Sequence, residues 1–201
     1  MPERRAQEAD DSALVKRCLE GDRQACRDLF RREYPRVNAT LYRVLGAARE
    51  SEDLVQEAFL EVFRSLASWR GEARLSTWID RIALRVAIHW LRSRRMKTVQ
   101  LEVVPEPETG EAPPDRRAQA REGVRRLYRA LGELTAETRL AVTLHLVDGR
   151  SVAEIAALTG SSRVATKVRI WRARRELERR AAEDPILAAY VATDEPKEGD
   201  A

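Results

Sequence analysis

Apolar residues recur at three- and four-residue spacing along most of this 201-residue chain, a periodicity that predicts helices and no strand. Leu14, Val15, Cys18 and Leu19 open the first stripe. Ala25, Cys26, Leu29 and Phe30 continue it after a break at Gly21-Asp22, where Asp22 is placed to cap the next helix. Pro35 predicts a kink or fresh start near Tyr34, because its ring lacks an N–H and crowds the preceding turn. Val37, Leu41, Val44 and Leu45 follow, closed by Gly46. The most regular stripe, over 52–67, is Leu54, Val55, Ala58, Phe59, Val62, Phe63 and Leu66. After the interruption Arg70-Gly-Glu-Ala-Arg74, Thr77 and Asp80 read as a capping box. It opens a helix over 78–94 that turns Trp78, Ile79, Ile82, Val86 and Trp90 inward.

The pattern then fails. Residues 98–118 hold four Pro, five acids and Gly110, with no periodicity, and read as a linker. Helical spacing resumes with Leu127, Leu131 and Leu134, then Leu140, Val142, Leu144 and Leu146 up to the Asp148-Gly149 turn. The expected fold is all-α: two small helical domains joined by a flexible linker. The expected boundaries are a disordered N-terminus at 1–11, domains at 12–97 and 119–181, the linker at 98–118 and an acidic tail at 182–201. Within the tail, Pro185-Ile-Leu-Ala-Ala-Tyr-Val191 fits either a frayed end or a short regulatory helix.

Charge adds a partner class. Net charge is only +4, but residues 64–97 hold nine Arg and Lys against two acids, and 163–180 hold eight against two. Two basic blocks on separate modules point to two nucleic-acid contacts. Only four of the 37 basic residues are Lys, which suits bidentate grip on phosphate and equally suits a compositional leaning to Arg. Cys18 and Cys26, with no His nearby, exclude a disulfide framework and a zinc motif, fit a reducing cytoplasm, and read as small buried apolar residues. No run of about 18 apolar residues could span a bilayer, and no signal peptide is visible. Nothing calls for a cofactor.

The last third carries the sharpest motif. Ser151-Val-Ala-Glu-Ile-Ala-Ala-Leu-Thr-Gly160, followed by a basic helix from Arg163, has the form of a helix-turn-helix. Setting Ile170 inward places Thr166, Ala173 and Leu177 on the same face. Val164, Val168, Trp171, Arg172, Arg175 and Arg179 then face outward, with Lys167 on the flank. Two readings compete: side chains reaching bases and phosphates in a major groove, or a solvated helix with Trp171 packed on its predecessors.

Two further constellations lie in the first domain. Asp53, Glu57 and Glu61 form a carboxylate row opposite the apolar stripe. It can dock a basic protein surface or simply face solvent; a metal site lacks the His or further carboxylates it would need. Ser68-Trp-Arg-Gly-Glu-Ala-Arg-Leu-Ser-Thr-Trp78 joins two Trp and two Arg across a Gly turn, and Arg81, Arg85 and Arg92 follow along the next helix. Rings beside guanidiniums suit unstacked bases and their phosphates. The alternative is that Trp78 and Trp90 are ordinary core.

Taken in order, these segments resemble the extracytoplasmic-function sigma factors of bacterial RNA polymerase. Glu52-Asp-Leu-Val-Gln-Glu-Ala-Phe-Leu-Glu-Val-Phe63 is similar to the family segment that grips the polymerase clamp helices. Trp69-Arg-Gly-Glu-Ala-Arg-Leu-Ser-Thr-Trp-Ile79 resembles the loop that captures a flipped minus-ten base. Glu154-Ile-Ala and Lys167-Val-Arg-Ile-Trp-Arg-Ala-Arg174 resemble the helix-turn-helix that reads the minus-thirty-five element. The resemblance implies a region 2-like domain at 12–97 and a region 4-like domain at 119–181. It further implies core polymerase binding by Asp53, Gln56, Glu57 and Glu61, and minus-ten capture by Trp69, Arg70, Arg74, Trp78, Arg81, Arg85 and Arg92. Duplex reading falls to Arg163, Lys167, Val168, Trp171, Arg172 and Arg175. Core RNA polymerase, promoter DNA and an anti-sigma factor are the implied partners, with no catalysis.

The chain departs from the family where Arg85 replaces the usual Asn, His89 the usual Asp, Ala165 a hydroxyl residue and Val168 a polar one. Two rival functions stay open. One is a helix-turn-helix regulator acting on duplex DNA without polymerase, which leaves the 68–78 loop unexplained. The other is a metal-dependent nucleic-acid enzyme using Asp53, Glu57 and Glu61.

Overall fold

A computed structural model describes residues 2–46, 51–95 and 114–191. Nine α-helices occur among the described residues: α1 (Pro2–Leu19), α2 (Arg23–Leu45), α3 (Ser51–Ser65), α4 (Leu75–Arg95), α5 (Pro114–Gly132), α6 (Ala136–Leu146), α7 (Val152–Thr159), α8 (Arg163–Ala181) and α9 (Pro185–Val191). A 3-10 turn, Leu66–Ser68, follows α3. The all-α class holds. Two compact units form, one of Met1–Tyr42 with Glu50–Ala87 and the other of Arg43–Arg49 with Ile88–Ala201.

In the first unit α1, α2, α3 and α4 bury Val15, Leu29, Val37, Leu41, Leu54, Val55, Phe59, Leu75 and Ile79, and the Phe30 and Phe59 rings meet at 4.6 Å. Asp22 caps α2 as its position predicts: its Oδ1 accepts from the amides of Gln24 (2.8 Å) and Ala25 (3.1 Å), while Arg17 holds the other oxygen. The Cys18 side chain is buried, and burial, helped by the neighbouring Cys26 thiol, pushes it up to about 12. That fits an inert packing role.

Three expectations need correction here. The N-terminal stretch expected to be disordered is helical from Pro2. Its buried Asp11 accepts from Gln7 (3.2 Å) and from Arg32 of α2 (2.8 Å), a partner 21 residues away that local polarity cannot announce. Helix α2 continues through Pro35, so there is no fresh start there. One lost N–H is outweighed because both halves, Leu29 before and Val37 after, are fully buried. Asp80 is no cap: α4 already starts at Leu75, and the buried Asp80 carboxylate instead pairs with Arg36 of α2.

In the second unit, Ala130, Leu131, Val142, Ala173, Leu177 and Leu187 form the core of α5, α6, α8 and α9. Arg139, 5% exposed, donates from Nε to the Val44 carbonyl (3.0 Å) and from Nη2 to that of Leu45 (2.7 Å). It thereby satisfies terminal carbonyls of α2, where the helix dipole favours a cation. Burial lowers its pKa to about 10, so it stays charged at neutral pH.

Two boundaries shift. Helix α5 starts at Pro114, inside the expected linker; proline suits a first helical turn, which needs no N–H there. The rest of the linker, 98–113, lies outside the described residues. In the expected tail, 185–191 take the helical alternative, because Asp184 accepts from the Ile186 and Leu187 amides (3.1 Å each) and Leu187 enters the core.

Candidate nucleic-acid interface

Helix α3 buries Leu54, Val55, Ala58, Phe59 and Val62. Its other side exposes Asp53, Gln56, Glu57 and Glu61 together. Leu60 shares that side and is 56% exposed. The sequence reading missed it, although its i+3 position from Glu57 was a sufficient signal. Among the described residues, no group of three His, Cys, Asp or Glu side chains could hold a metal ion.

The loop after α3 folds on itself. Trp69 Nε1 donates to the Ala73 carbonyl at 3.0 Å, and Gly71, at φ 76°, supplies the left-handed turn between them. The result is a cavity of about 310 Å³ lined by Trp69, Arg70, Glu72, Trp78 and Arg81 with Ser68 and Ala73. Both indoles are half-buried, neither wholly core nor wholly solvated, whereas Ile79, Ile82 and Val86 of α4 are buried. The buried Nε of Arg81 has no hydrogen-bond partner among the described residues. Such a donor costs about 1–3 kcal/mol if left unmet.

Of the seven residues expected at this site, the structure gathers Trp69, Arg70, Trp78 and Arg81 around one cavity. Arg74 and Arg85 are exposed and do not line it. Arg92 belongs to the second unit, where its Nε donates to Glu137 at 2.8 Å. Its acidic partner lies 45 residues downstream.

The helix-turn-helix is assembled by its caps. Ser151 and Glu154 form a reciprocal capping box at α7, Gly160 ends it at φ 66°, and Ser162 Oγ accepts from the Ala165 amide at 3.1 Å to start α8. Arg169 Nη1 donates to Ser161 Oγ at 2.6 Å across the turn. The inward face is Thr166, Ile170, Ala173 and Leu177, as the periodicity predicts. Arg163, Lys167, Val168, Trp171, Arg172 and Arg175 are all exposed. Trp171 is 58% exposed with the Arg175 guanidinium 5.5 Å from its ring, so it is not packed away on the preceding helices. Farther along, Arg179 and Arg180 are engaged by Glu176, whose carboxyl they hold down at about 2.

Residues 29–96 match the family described as Sigma-70 region 2, and residues 124–177 match Sigma-70, region 4. The ECF RNA polymerase sigma-E factor of Escherichia coli (strain K12) is 30% identical over 183 residues, 86% of this chain and 95% of that protein. The chain belongs to the ECF sigma factor family. The sigma-E factor of Haemophilus influenzae is 28% identical over 182 residues, covering 86% and 96% of the two chains. A chain from the structure of CnrH in complex with the cytosolic domain of CnrY shares the fold at TM-score 0.60 and 24% identity, covering 86% of this chain and 97% of that one. A chain from the co-crystal structure of the sigma factor RpoE with the anti-sigma factor NepR from Bartonella quintana does so at 0.55 and 19%, covering 79% and 97%.

This sigma factor directs RNA polymerase to promoters; core polymerase and promoter DNA are its partners. Sigma factors are non-catalytic initiation factors. A regulator working without polymerase leaves the region 2 match at 29–96 without a purpose. No helix among the described residues is long and apolar enough to cross a membrane.

Proposed function

We propose that the three surfaces divide the work of initiation. Asp53, Gln56, Glu57 and Glu61 of α3, joined by Leu60, dock the sigma factor on core polymerase. The cavity between Trp69 and Trp78 captures one unpaired base of the minus-ten element, with Arg81 supplying a donor and Arg70, Arg74 and Arg85 contacting phosphate. Helix α8 enters the major groove of the minus-thirty-five element through Arg163, Lys167, Val168, Trp171, Arg172 and Arg175. A region 2-like domain, a linker, and a region 4-like domain whose first helix begins at Pro114 carry these tasks. The chain catalyses no reaction and works in the cytoplasm. A protein antagonist of the anti-sigma type restrains it, as NepR accompanies the RpoE of Bartonella quintana.

The observation that carries this reading is the cavity lined by two half-buried indoles together with Arg70 and Arg81. Base–aromatic stacking of about 1–3 kcal/mol offsets unstacking from the duplex, and core polymerase provides the rest of the grip. The test is open-complex formation by the reconstituted holoenzyme on a promoter carrying 2-aminopurine in the minus-ten element. Trp69→Ala should cut the amplitude of the fluorescence rise about tenfold. Wild-type amplitude in that variant would remove the capture role from this cavity.

A further inference from the structure

Helix α8 carries an apolar ridge on its exposed face. Val164 is 74% exposed, Val168 39% and Trp171 58%. At 100° per residue the three lie within about 60° of one another. Their span of seven residues is about 10 Å, the length of about three base-pair steps. The exposed flanks of the ridge are cationic, with Arg163, Lys167 and Arg172, and Arg175 follows one turn beyond Trp171 on the same line.

A ridge rimmed by cations fits a polyanion that offers apolar bumps at helical spacing. Valine has neither donor nor acceptor, so Val164 and Val168 cannot read the hydrogen-bonding edges that distinguish most base pairs. The one apolar group on the major-groove edges of the bases is the thymine C5-methyl. We propose that α8 selects its promoter element chiefly through thymine methyl groups packed against Val164 and Val168, with the Trp171 ring extending the contact and the flanking cations gripping phosphates. The inference rests on the placement of α8 in the major groove and names what that helix reads there.

The test uses the holoenzyme of full-length chain and core polymerase. An upstream element is first selected from DNA randomised at that position, and its thymines are then replaced one at a time by deoxyuridine, which lacks only the methyl. The expected element has thymine at two or three neighbouring base pairs. Each critical replacement should weaken binding about fourfold, the worth of one buried methyl. Val168→Ala should weaken binding by a similar factor on thymine DNA and have little further effect on the matching deoxyuridine DNA. Val168 is exposed, so this variant keeps the fold. If deoxyuridine binds as well as thymine while Lys167→Ala with Arg172→Ala still weakens binding, the methyl inference is overturned, the groove placement stands, and the ridge belongs to a protein partner. If those cation variants are also without effect and the upstream element shows no footprint, the groove placement itself falls, and the inference with it.

Discussion

Arg36 on α2 donates to Asp80 on α4, joining two helices of the first unit 44 residues apart in sequence. Asp80 is 4% exposed, and Arg36 also donates to Glu33 at 2.6 Å. The pair sits one residue from Arg81 and two from Trp78, so it sets the position of the α4 segment that lines the candidate base cavity. Removing one partner leaves a desolvated charge. Arg36→Ala should destabilise the fold by about 2–3 kcal/mol, less than the ~3–5 of a fully buried pair because Arg36 is partly exposed. Urea unfolding followed by circular dichroism measures this; a change below about 0.5 kcal/mol would show that the pair is dispensable.

Gly46 closes α2 at φ 75°, and a Cβ there would come within 2.3 Å of the Tyr128 ring. Gly46→Ala therefore meets both backbone strain and overlap, and should cost more than about 2 kcal/mol. Gly149→Ala is the control: its φ of 63° is similar, but nothing lies within 4 Å of the added carbon, so only about 1–2 kcal/mol of strain applies. Equal melting temperatures for the two variants would contradict the packing argument.

Glu176 titrates far below an ordinary glutamate because Arg179 and Arg180 donate to it. A depressed folded-state pKa means that this interaction stabilises fully above the unfolded value of about 4.3 and is lost as pH falls toward about 2. Carboxyl NMR should find the Glu176 midpoint near 2, rising toward the ordinary value in Arg179→Ala combined with Arg180→Ala. A midpoint near 4 in the unsubstituted chain would mean that the arginines are free for DNA.

On α3, Glu57→Lys with Glu61→Lys should weaken binding to core polymerase at least tenfold without lowering stability, since both carboxylates are exposed. Leu60→Ser should weaken it further, by roughly the worth of one buried leucine, ~1.5–3 kcal/mol. Fluorescence anisotropy titration with core enzyme measures both. Unchanged affinity in the charge-reversed variant would leave the row as plain solvated surface.

On α8, Lys167→Ala with Arg172→Ala should lower holoenzyme affinity for promoter DNA. It should also reduce the dependence of log affinity on log salt by about 0.9 for each phosphate that the variant no longer neutralises. A slope that stays put would take these two side chains off the backbone.

Much of this was legible in the chain because it depends on neighbours three or four residues away. The inward face of α8, the Asp22 cap and the outward acidic row of α3 all follow from helical periodicity. The misreadings share a different cause. Asp80 looked like a local cap because Thr77 stands three residues before it, and its real partner is on another helix. Polar residues 2–11 looked unstructured because their stabilising partner is Arg32.

By itself the sequence determined the helical class, which helix faces are apolar, the Gly160 turn of the helix-turn-helix and the order of motifs that marks a sigma factor. Each is a short-range matter of side-chain spacing and turn chemistry. Only the tertiary structure decided where buried charges find partners, that Trp69 and Trp78 share one cavity with Arg81, and that Leu60 and Trp171 stay in solvent. Those depend on desolvation and on packing between segments tens of residues apart, which no local pattern encodes.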